Sequence, residues 1–218
     1  MAARCVGPTG YVLATDISPS MLNVAAEAAR KEGLTNVETR VMNAETLALD
    51  ADSFNAVICR IALMLFPNPA KALTEMRRVV KPGGKVAVIV YSALEKNPFH
   101  EIFFGIVRRL GNIPPSAPGE PWMYALGNPR ALEDVFRQAG FLNVSIHAAP
   151  IPRRFPSAAG AVANMKKATT GDLVEFMKQL KEADRERAWA EIEEKFRGFE
   201  GPNGFEVPGE VLVGVGMK

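Results

Sequence analysis

Residues 11–29, YVLATDISPSMLNVAAEAA, decide how the chain is expected to fold. Residues 12–15 are typical of a short buried strand. Ser18 and Pro19 are typical of the N-cap and the first position of a helix, and apolar residues then recur at helical spacing. Asp16 is therefore predicted to lie at the carboxyl end of a strand in an α/β unit, where open parallel sheets bind their ligands.

The carboxylate of Asp16 could accept hydrogen bonds from a ribose diol, or it could cap the turn after the strand. The string D-I-S-P-x-M-L, read from Asp16, resembles the second conserved motif of class I S-adenosylmethionine (AdoMet)-dependent methyltransferases. In that family the aspartate binds the ribose hydroxyls of AdoMet, and the next residue, here Ile17, lies against the adenine. Met21 is the methionine of the same motif, and the resemblance places it in the cofactor site.

A second string strengthens the resemblance: P-x-P-x-x-A-L-x-E-M-x-R-V-x-K-P-G-G, read from Pro67. The resemblance covers roughly residues 11–91 and is nearest to the group that contains quinone-biosynthesis methyltransferases. It implies an α/β fold with a Rossmann-like, doubly wound, mostly parallel sheet of strand order 3-2-1-4-5-7-6, whose last strand is antiparallel. It also implies S-adenosylmethionine as the cofactor.

Further cofactor contacts are implied after the next two predicted strands. Asn43, Ala44 and Glu45 stand where the family commonly carries Asp-Ala against the adenine. The Asn43 amide could still accept one such hydrogen bond, although without charge, or it could cap a turn. Arg60 follows a predicted central strand at residues 56–59 and could bind the AdoMet carboxylate or an acidic substrate. It could equally pair with a neighbouring acid.

Two parts of the family pattern are missing ahead of Asp16. A glycine-rich turn normally precedes the ribose-binding acid by roughly 20 residues, and neither that turn nor the strand before it is found. The G-x-G at Gly214 and Gly216 has no helix after it and is expected to be structural. Because the missing first strand is central, its neighbours should pair directly, leave a gap, or borrow a strand from another chain. A truncated gene is the simplest expectation, with weak cofactor binding and little turnover.

We expect a single methyltransferase-like domain over residues 1–218, with helical cap or substrate elements at residues 92–126 and 155–200. An apolar stripe in the first segment is typical of the core, or of a lid over a lipophilic substrate. The second segment contains two amphipathic helices, at residues 172–180 and 184–196.

Composition narrows the class of protein. Twenty-six Lys and Arg against 24 Asp and Glu leave a net charge of +2, without the concentrated basic face that nucleic acids require. The apolar stretch 56–66 is too short to span a bilayer. Cys5 and Cys59 have no metal or redox spacing. We expect a soluble cytoplasmic protein with a small-molecule acceptor, no metal and no nucleic-acid partner; homo-oligomerisation is left open.

The function implied by the resemblance is transfer of a methyl group from AdoMet to a small lipophilic acceptor. Tyr91 and His100 are candidates for a general base, although a lone histidine is more often structural. A non-catalytic relative with weak or no cofactor binding is the main alternative, because the glycine-rich turn is absent. A dinucleotide-dependent oxidoreductase would also use Asp16, but it does not explain the K-P-G-G string.

Overall fold

The structure is a computed structural model that describes residues 1–117, 119–167 and 171–218, with the backbone alone at residue 172. Its helices are α1 (Ala2–Cys5), α2 (Pro19–Lys31), α3 (Pro69–Val79), α4 (Pro98–Gly111), α5 (Pro129–Gln138), α6 (Ala158–Lys166), α7 (Asp172–Lys178) and α8 (Glu182–Arg197). Its strands are β1 (Val12–Asp16), β2 (Val37–Val41), β3 (Phe54–Arg60), β4 (Val80–Tyr91), β5 (Leu142–Pro150), β6 (Arg153–Phe155), β7 (Glu200–Gly201), β8 (Gly204–Val207) and β9 (Glu210–Met217).

The strands form three sheets in the described part of the chain. Strands β1 and β2 pair in parallel, and a second sheet has the order β3-β4-β9-β5, with β9 antiparallel to both of its neighbours. A small antiparallel sheet, β6-β8-β7, completes the set. The orders β2-β1 and β3-β4-β9-β5 correspond to 3-2 and 4-5-7-6, so the predicted α/β fold with an antiparallel last strand is confirmed.

A gap separates the first two sheets, which is one of the three outcomes predicted for the missing central strand. Within the described residues β1 pairs only with β2, and β3 pairs only with β4. The prediction that residues 56–59 form a buried central strand is wrong, because β3 is an edge strand and Ile58 is exposed. An open cleft of about 610 Å³ lies between the sheets and is lined by Tyr11 and Leu13 on one side and Phe54 on the other.

Helix α3 joins the two sheets through the loop that connects β2 to β3. The Arg78 guanidinium donates to the carbonyl oxygens of Leu47, at 2.8 Å, and Leu49, at 2.7 Å. Glu75, one turn earlier, accepts from the backbone N–H of Leu47 at 3.0 Å. The hydrogen bond from Arg78 also holds the pKa of Glu75 below its usual value. The first sheet is therefore attached through side chains of α3 as well as through the chain itself.

Asn-Pro and Ser-Pro pairs predict helix starts, and three of them act as expected. Ser18, Asn68 and Asn128 each accept a backbone N–H from the first turn of the helix that follows. Asn97 is different, because it is buried and its amide reaches β9 instead. Its Nδ2 donates to the Glu210 carbonyl, and its Oδ1 accepts from the Glu210 N–H, both at 3.1 Å. The side chain of Asn97 therefore joins the start of α4 to the start of β9.

The apolar stripe of α4 belongs to the core, which is one of its two predicted roles. Phe103 on this stripe is fully buried, and α4 packs against α7 and α8. The predicted cap segments contain α4 and α6–α8 respectively. Residue 118 and residues 168–170 of those segments lie outside the described residues, and a role over the substrate stays a prediction.

The G-x-G of β9 has a packing role, as predicted. A β-carbon added at Gly214 would lie 2.8 Å from the ring of Phe136, and one added at Gly216 would lie 2.8 Å from the ring of Phe141. Because β-carbons essentially never approach so closely, the two glycines let α5 and Phe141, three residues beyond its end, pack directly on β9.

Gly216→Ala is expected to lower the free energy of unfolding by about 1–3 kcal/mol, because the added methyl overpacks against two aromatic rings. Gly105→Ala is the matched control, since nothing lies within 4 Å of a β-carbon at that exposed position of α4. There alanine should raise the free energy of unfolding by about 0.5–1 kcal/mol through helix propensity. Urea unfolding followed by circular dichroism measures both changes; changes of the same sign would contradict the packing role.

Candidate functional site

Asp16 ends β1 at the carboxyl edge of the first sheet. Its Oδ1 accepts the backbone N–H of Ser18 at 2.8 Å, so the capping role left open by the sequence is present. Its backbone carbonyl accepts the N–H of Met42 at 3.1 Å, which brings the ends of β1 and β2 together. The other carboxylate oxygen has no partner in the described part of the chain and remains available to a ligand.

Two large apolar side chains are exposed beside this carboxylate. Ile17 directly follows Asp16 and is 71% exposed, and Met21, in the first turn of α2, is 57% exposed. Leu22, the next residue along, is buried instead. Exposed apolar side chains next to a carboxylate suit a ligand with a flat apolar face and a polar edge.

The segment that follows β2 is held by its own hydrogen bonds. Asn43 Oδ1 accepts the N–H of Glu45 at 2.8 Å, so its turn-capping role is present. An amide oxygen has a second lone pair, so one further hydrogen bond stays open to Asn43. The Glu45 carboxylate accepts the N–H of Asn68 at 2.8 Å and thereby ties this segment to α3. Ala44 between them packs against the core.

Arg60 ends β3, on the other side of the gap. Its side chain is exposed, and no hydrogen bond or ion pair to it occurs within the residues that the structure describes. The pairing with a neighbouring acid that the sequence left open is therefore not formed there. The predicted site residues fall into two groups, with Asp16 to Glu45 on the first sheet and Arg60 on the second.

Four polar side chains meet beyond the carboxyl end of β4, and we call them the tyrosine cluster: Tyr91, His100, Tyr124 and Arg153. The Tyr124 hydroxyl lies 2.6 Å from His100 Nδ1. Arg153 Nη2 donates to the Tyr91 hydroxyl at 2.7 Å and lies 3.2 Å from His100 Nε2. All except Arg153 are buried.

His100 is a neutral, fully engaged member of this cluster. Burial, with a smaller effect of the Arg153 charge, lowers its pKa to about 3. Because arginine only donates hydrogen bonds, Nε2 must accept from Arg153, and the single proton of the neutral ring is then assigned to Nδ1. Both nitrogens are thus occupied by Arg153 and Tyr124. His100 positions its neighbours, and the interpretation of His100 as a free general base is not supported.

The sequence alone indicates Tyr91 and His100 as separate candidates and gives no role to Arg153. The residues of the tyrosine cluster are distant along the chain: 24 residues separate His100 from Tyr124, and 62 separate Tyr91 from Arg153. The one local signal was the position of Tyr91 at the end of a predicted strand.

Other features of the described residues limit the chemistry. Cys59 is buried, and burial raises the pKa of its thiol to about 11. Within the described ranges, no group of three or more His, Cys, Asp or Glu is arranged to hold a metal ion. None of the helices that the structure describes is both long and apolar enough to cross a membrane.

Residues 1–88 match the methyltransferase domain family model. The match and the strand order together show that the chain is similar to the class I AdoMet-dependent methyltransferases, as the D-I-S-P and K-P-G-G strings predict.

The similar proteins point to the quinone-biosynthesis group. The chain is 32% identical over 153 residues to a demethylmenaquinone methyltransferase of Anoxybacillus flavithermus, a match that covers 66% of this chain and 65% of that protein. It is 36% identical over 116 residues to a ubiquinone/menaquinone biosynthesis C-methyltransferase of Pasteurella multocida, covering 51% of this chain and 43% of that protein. The matched region thus spans between about two fifths and two thirds of these relatives' lengths.

A Bacillus halodurans protein assigned as a methyltransferase has a similar solved structure, with a TM-score of 0.59 and 24% sequence identity. That similarity covers 95% of this chain and 83% of the other. It supports the fold.

Proposed function

We propose that the chain binds AdoMet at the carboxyl ends of β1 and β2 and transfers its methyl group to a small lipophilic acceptor. The observation that carries the proposal is the Asp16 carboxylate, which ends β1 and uses one oxygen for the turn while the other has no partner in the described residues. Two ribose hydroxyls are suitable donors to such a group, because hydrogen bonds to an ionised acceptor are strong.

The adenosine half of AdoMet fits the residues around Asp16. Ile17 and Met21 offer exposed apolar contact to the adenine ring. Asn43 retains a lone pair for the adenine amino group, and the N–H of Ala44 has no acceptor among the described residues. Glu45 would act on the site by holding this segment to α3 rather than by touching the cofactor with its occupied oxygen.

The methionine half is held by fewer groups. The Arg60 guanidinium, free of ion pairs in the described residues, would bind its carboxylate. No glycine-rich turn precedes Asp16 in the described part of the chain, so a close backbone approach to this half of the ligand is not available there. We therefore expect AdoMet to bind more weakly than a complete site of this class would allow.

Bound AdoMet supplies an electrophilic methyl group on a sulfonium, and transfer leaves a neutral thioether. The residues of the chain would contribute orientation, because a donor and an acceptor held in line react with a large entropic advantage. The two quinone-biosynthesis methyltransferases that the chain resembles favour a quinol as the acceptor. A ring that carries phenolic hydroxyls and an apolar tail is consistent with the aromatic surroundings of the tyrosine cluster.

Asp16→Ala is expected to weaken S-adenosylhomocysteine binding about 10- to 100-fold, because hydrogen bonds to a charged acceptor contribute about 1.5–3 kcal/mol. Isothermal titration calorimetry measures this change. Asp16→Asn keeps an acceptor for the Ser18 N–H and should show an intermediate loss, which separates ligand binding from turn stability. Asp134→Ala, at an exposed position of α5, is the control and should bind like the wild type.

Two further measurements decide the class of function. NADH should not bind, which separates the proposal from an oxidoreductase. Transfer of a labelled methyl group from AdoMet to a short-chain demethylmenaquinol tests turnover. A folded wild-type chain that binds no S-adenosylhomocysteine would overturn the proposal in favour of a non-catalytic relative. The gap between β1 and β3 is the structural reason for considering that alternative.

A further inference from the structure

The tyrosine cluster lies at the edge of the second sheet where ligands of parallel sheets bind. Tyr91 is the last residue of β4. Strands β3 and β4 run parallel, with Arg60 opposite Ile89, so Tyr91 is two residues beyond the level of Arg60 on the next strand. The cluster is therefore at the same edge as the cation that we assign to the methionine half of AdoMet.

The hydrogen-bond inventory of the cluster leaves two donors without acceptors. Tyr91 accepts from Arg153, and Tyr124 accepts from the proton assigned to His100 Nδ1. Each tyrosine hydroxyl still has its own proton to donate, and no acceptor for either proton occurs among the described residues. Burial raises the pKa of Tyr124 above its usual value, so this hydroxyl remains a donor at neutral pH.

The next residue in the chain after Tyr91 adds a third hydroxyl with an unused proton. Ser92 is 2% exposed, and its Oγ makes no hydrogen bond within the described residues. Its backbone packs against Gly127, where an added β-carbon would lie 2.8 Å from the Ser92 carbonyl oxygen. Buried polar groups usually have partners, and one left without a partner costs free energy. Three hydroxyls with unused protons near one strand end indicate a place for a ligand oxygen.

We infer that Tyr91 and Tyr124 form a two-donor site for a phenolate or carbonyl oxygen of the methyl acceptor, with His100 and Arg153 as the residues that position them. The positive charge of Arg153, bound directly to Tyr91, favours an anionic oxygen at this place. Its guanidinium lies 4.8 Å from the ring centre of Phe99, a contact that fixes it beside the cluster.

The inferred site extends the proposed function, on which its link to methyl transfer rests. Two O–H donors favour the phenolate over the neutral phenol, whose proton is released to water. The ring of a phenolate is more electron-rich than that of the phenol, so the ring carbon beside the oxygen is the better nucleophile. A purely structural network would account for the contacts of Arg153 and His100, but it would leave the two tyrosine protons unused.

The test uses the full chain, saturated with S-adenosylhomocysteine, and 4-nitrophenol as the probe, because its phenol and phenolate forms absorb at different wavelengths. We expect wild-type protein to bind the probe and shift its spectrum towards the phenolate form. Tyr91→Phe and Tyr124→Phe should each weaken binding about tenfold, the usual effect of losing one hydrogen bond to a charged group. Tyr11→Phe changes the remaining tyrosine of the chain, which is exposed and donates its hydroxyl to Glu38 of β2, and should leave probe binding unchanged.

The outcomes separate the inference from the proposed function. Failure of the wild-type chain to bind S-adenosylhomocysteine bears on the proposed function alone, since the probe can be titrated without it. The inference is overturned if folded wild-type protein does not bind the probe, or if both cluster variants bind it like Tyr11→Phe. Thermal unfolding of each variant shows whether a loss of binding reflects a loss of structure.

Discussion

Phe205→Ala is expected to lower the free energy of unfolding by about 3–5 kcal/mol. Phe205 lies in β8 and is 1% exposed. Its ring centre lies 5.2 Å from that of Phe196 in α8 and 6.5 Å from that of Phe99 in α4. One ring therefore joins the small sheet to two helices, and an alanine would leave a cavity that three separate elements cannot easily close.

Phe54→Ala is the matched control for this prediction. Phe54 is half-buried on the open cleft and makes no ring contact within the described residues. Its loss should cost about 1 kcal/mol, because only part of its surface is removed from water. Urea unfolding of the wild type and both variants under the same conditions compares the two losses in the free energy of unfolding. Equal losses would show that the aromatic packing around Phe205 contributes less than its burial indicates.

Backbone amides of β1 and β2 are expected to exchange with deuterium at least about a hundredfold faster than those of β4 and β9. Strands β1 and β2 pair only with each other in the described part of the chain, and a two-stranded sheet is marginally stable. Strands β4 and β9 each have partners on both sides, and alternate residues of β4, such as Val88, are fully buried. Helix α2, which follows β1, has Leu22 as its one buried residue.

Hydrogen exchange read out by mass spectrometry tests this difference through peptides from residues 12–41, 80–91 and 210–217. Adding S-adenosylhomocysteine should slow exchange at residues 12–21 and 41–46, where the proposed adenosine contacts lie, and leave residues 210–217 unchanged. Similar exchange rates in both sheets would contradict the prediction, because they would mean that the first sheet opens only with global unfolding.

The sequence alone predicted the local structure well where the signals are local. The strand-Asp-Ser-Pro pattern around Asp16 predicted β1, the N-cap and α2, since capping and hydrophobic periodicity act over a few residues. That pattern and the string read from Pro67 indicated the resemblance to the methyltransferases, and with it the strand order on both sides of the gap. Contacts of these residues with AdoMet stay predictions.

Burial was harder to predict, because it depends on which strands become neighbours. The apolar run at residues 56–59 is typical of a central strand, yet β3 lacks a partner on one side and Ile58 is exposed. Asn97 resembles an N-cap in sequence, but its amide bonds to Glu210, which is 113 residues away. Nothing in the neighbouring residues of either position could indicate these outcomes.

By itself, then, the sequence determined β1, α2 and the carboxylate at the end of β1, and it indicated the similarity to the methyltransferases, because each depends on contiguous residues. Tertiary structure decided that the missing strand leaves a gap, and it brought Tyr91, His100, Tyr124 and Arg153 together from four separate segments of the chain. Hydrogen bonds between such distant residues form only after the helices and strands have packed. Their partners therefore follow from the fold and cannot be found from spacing along the chain.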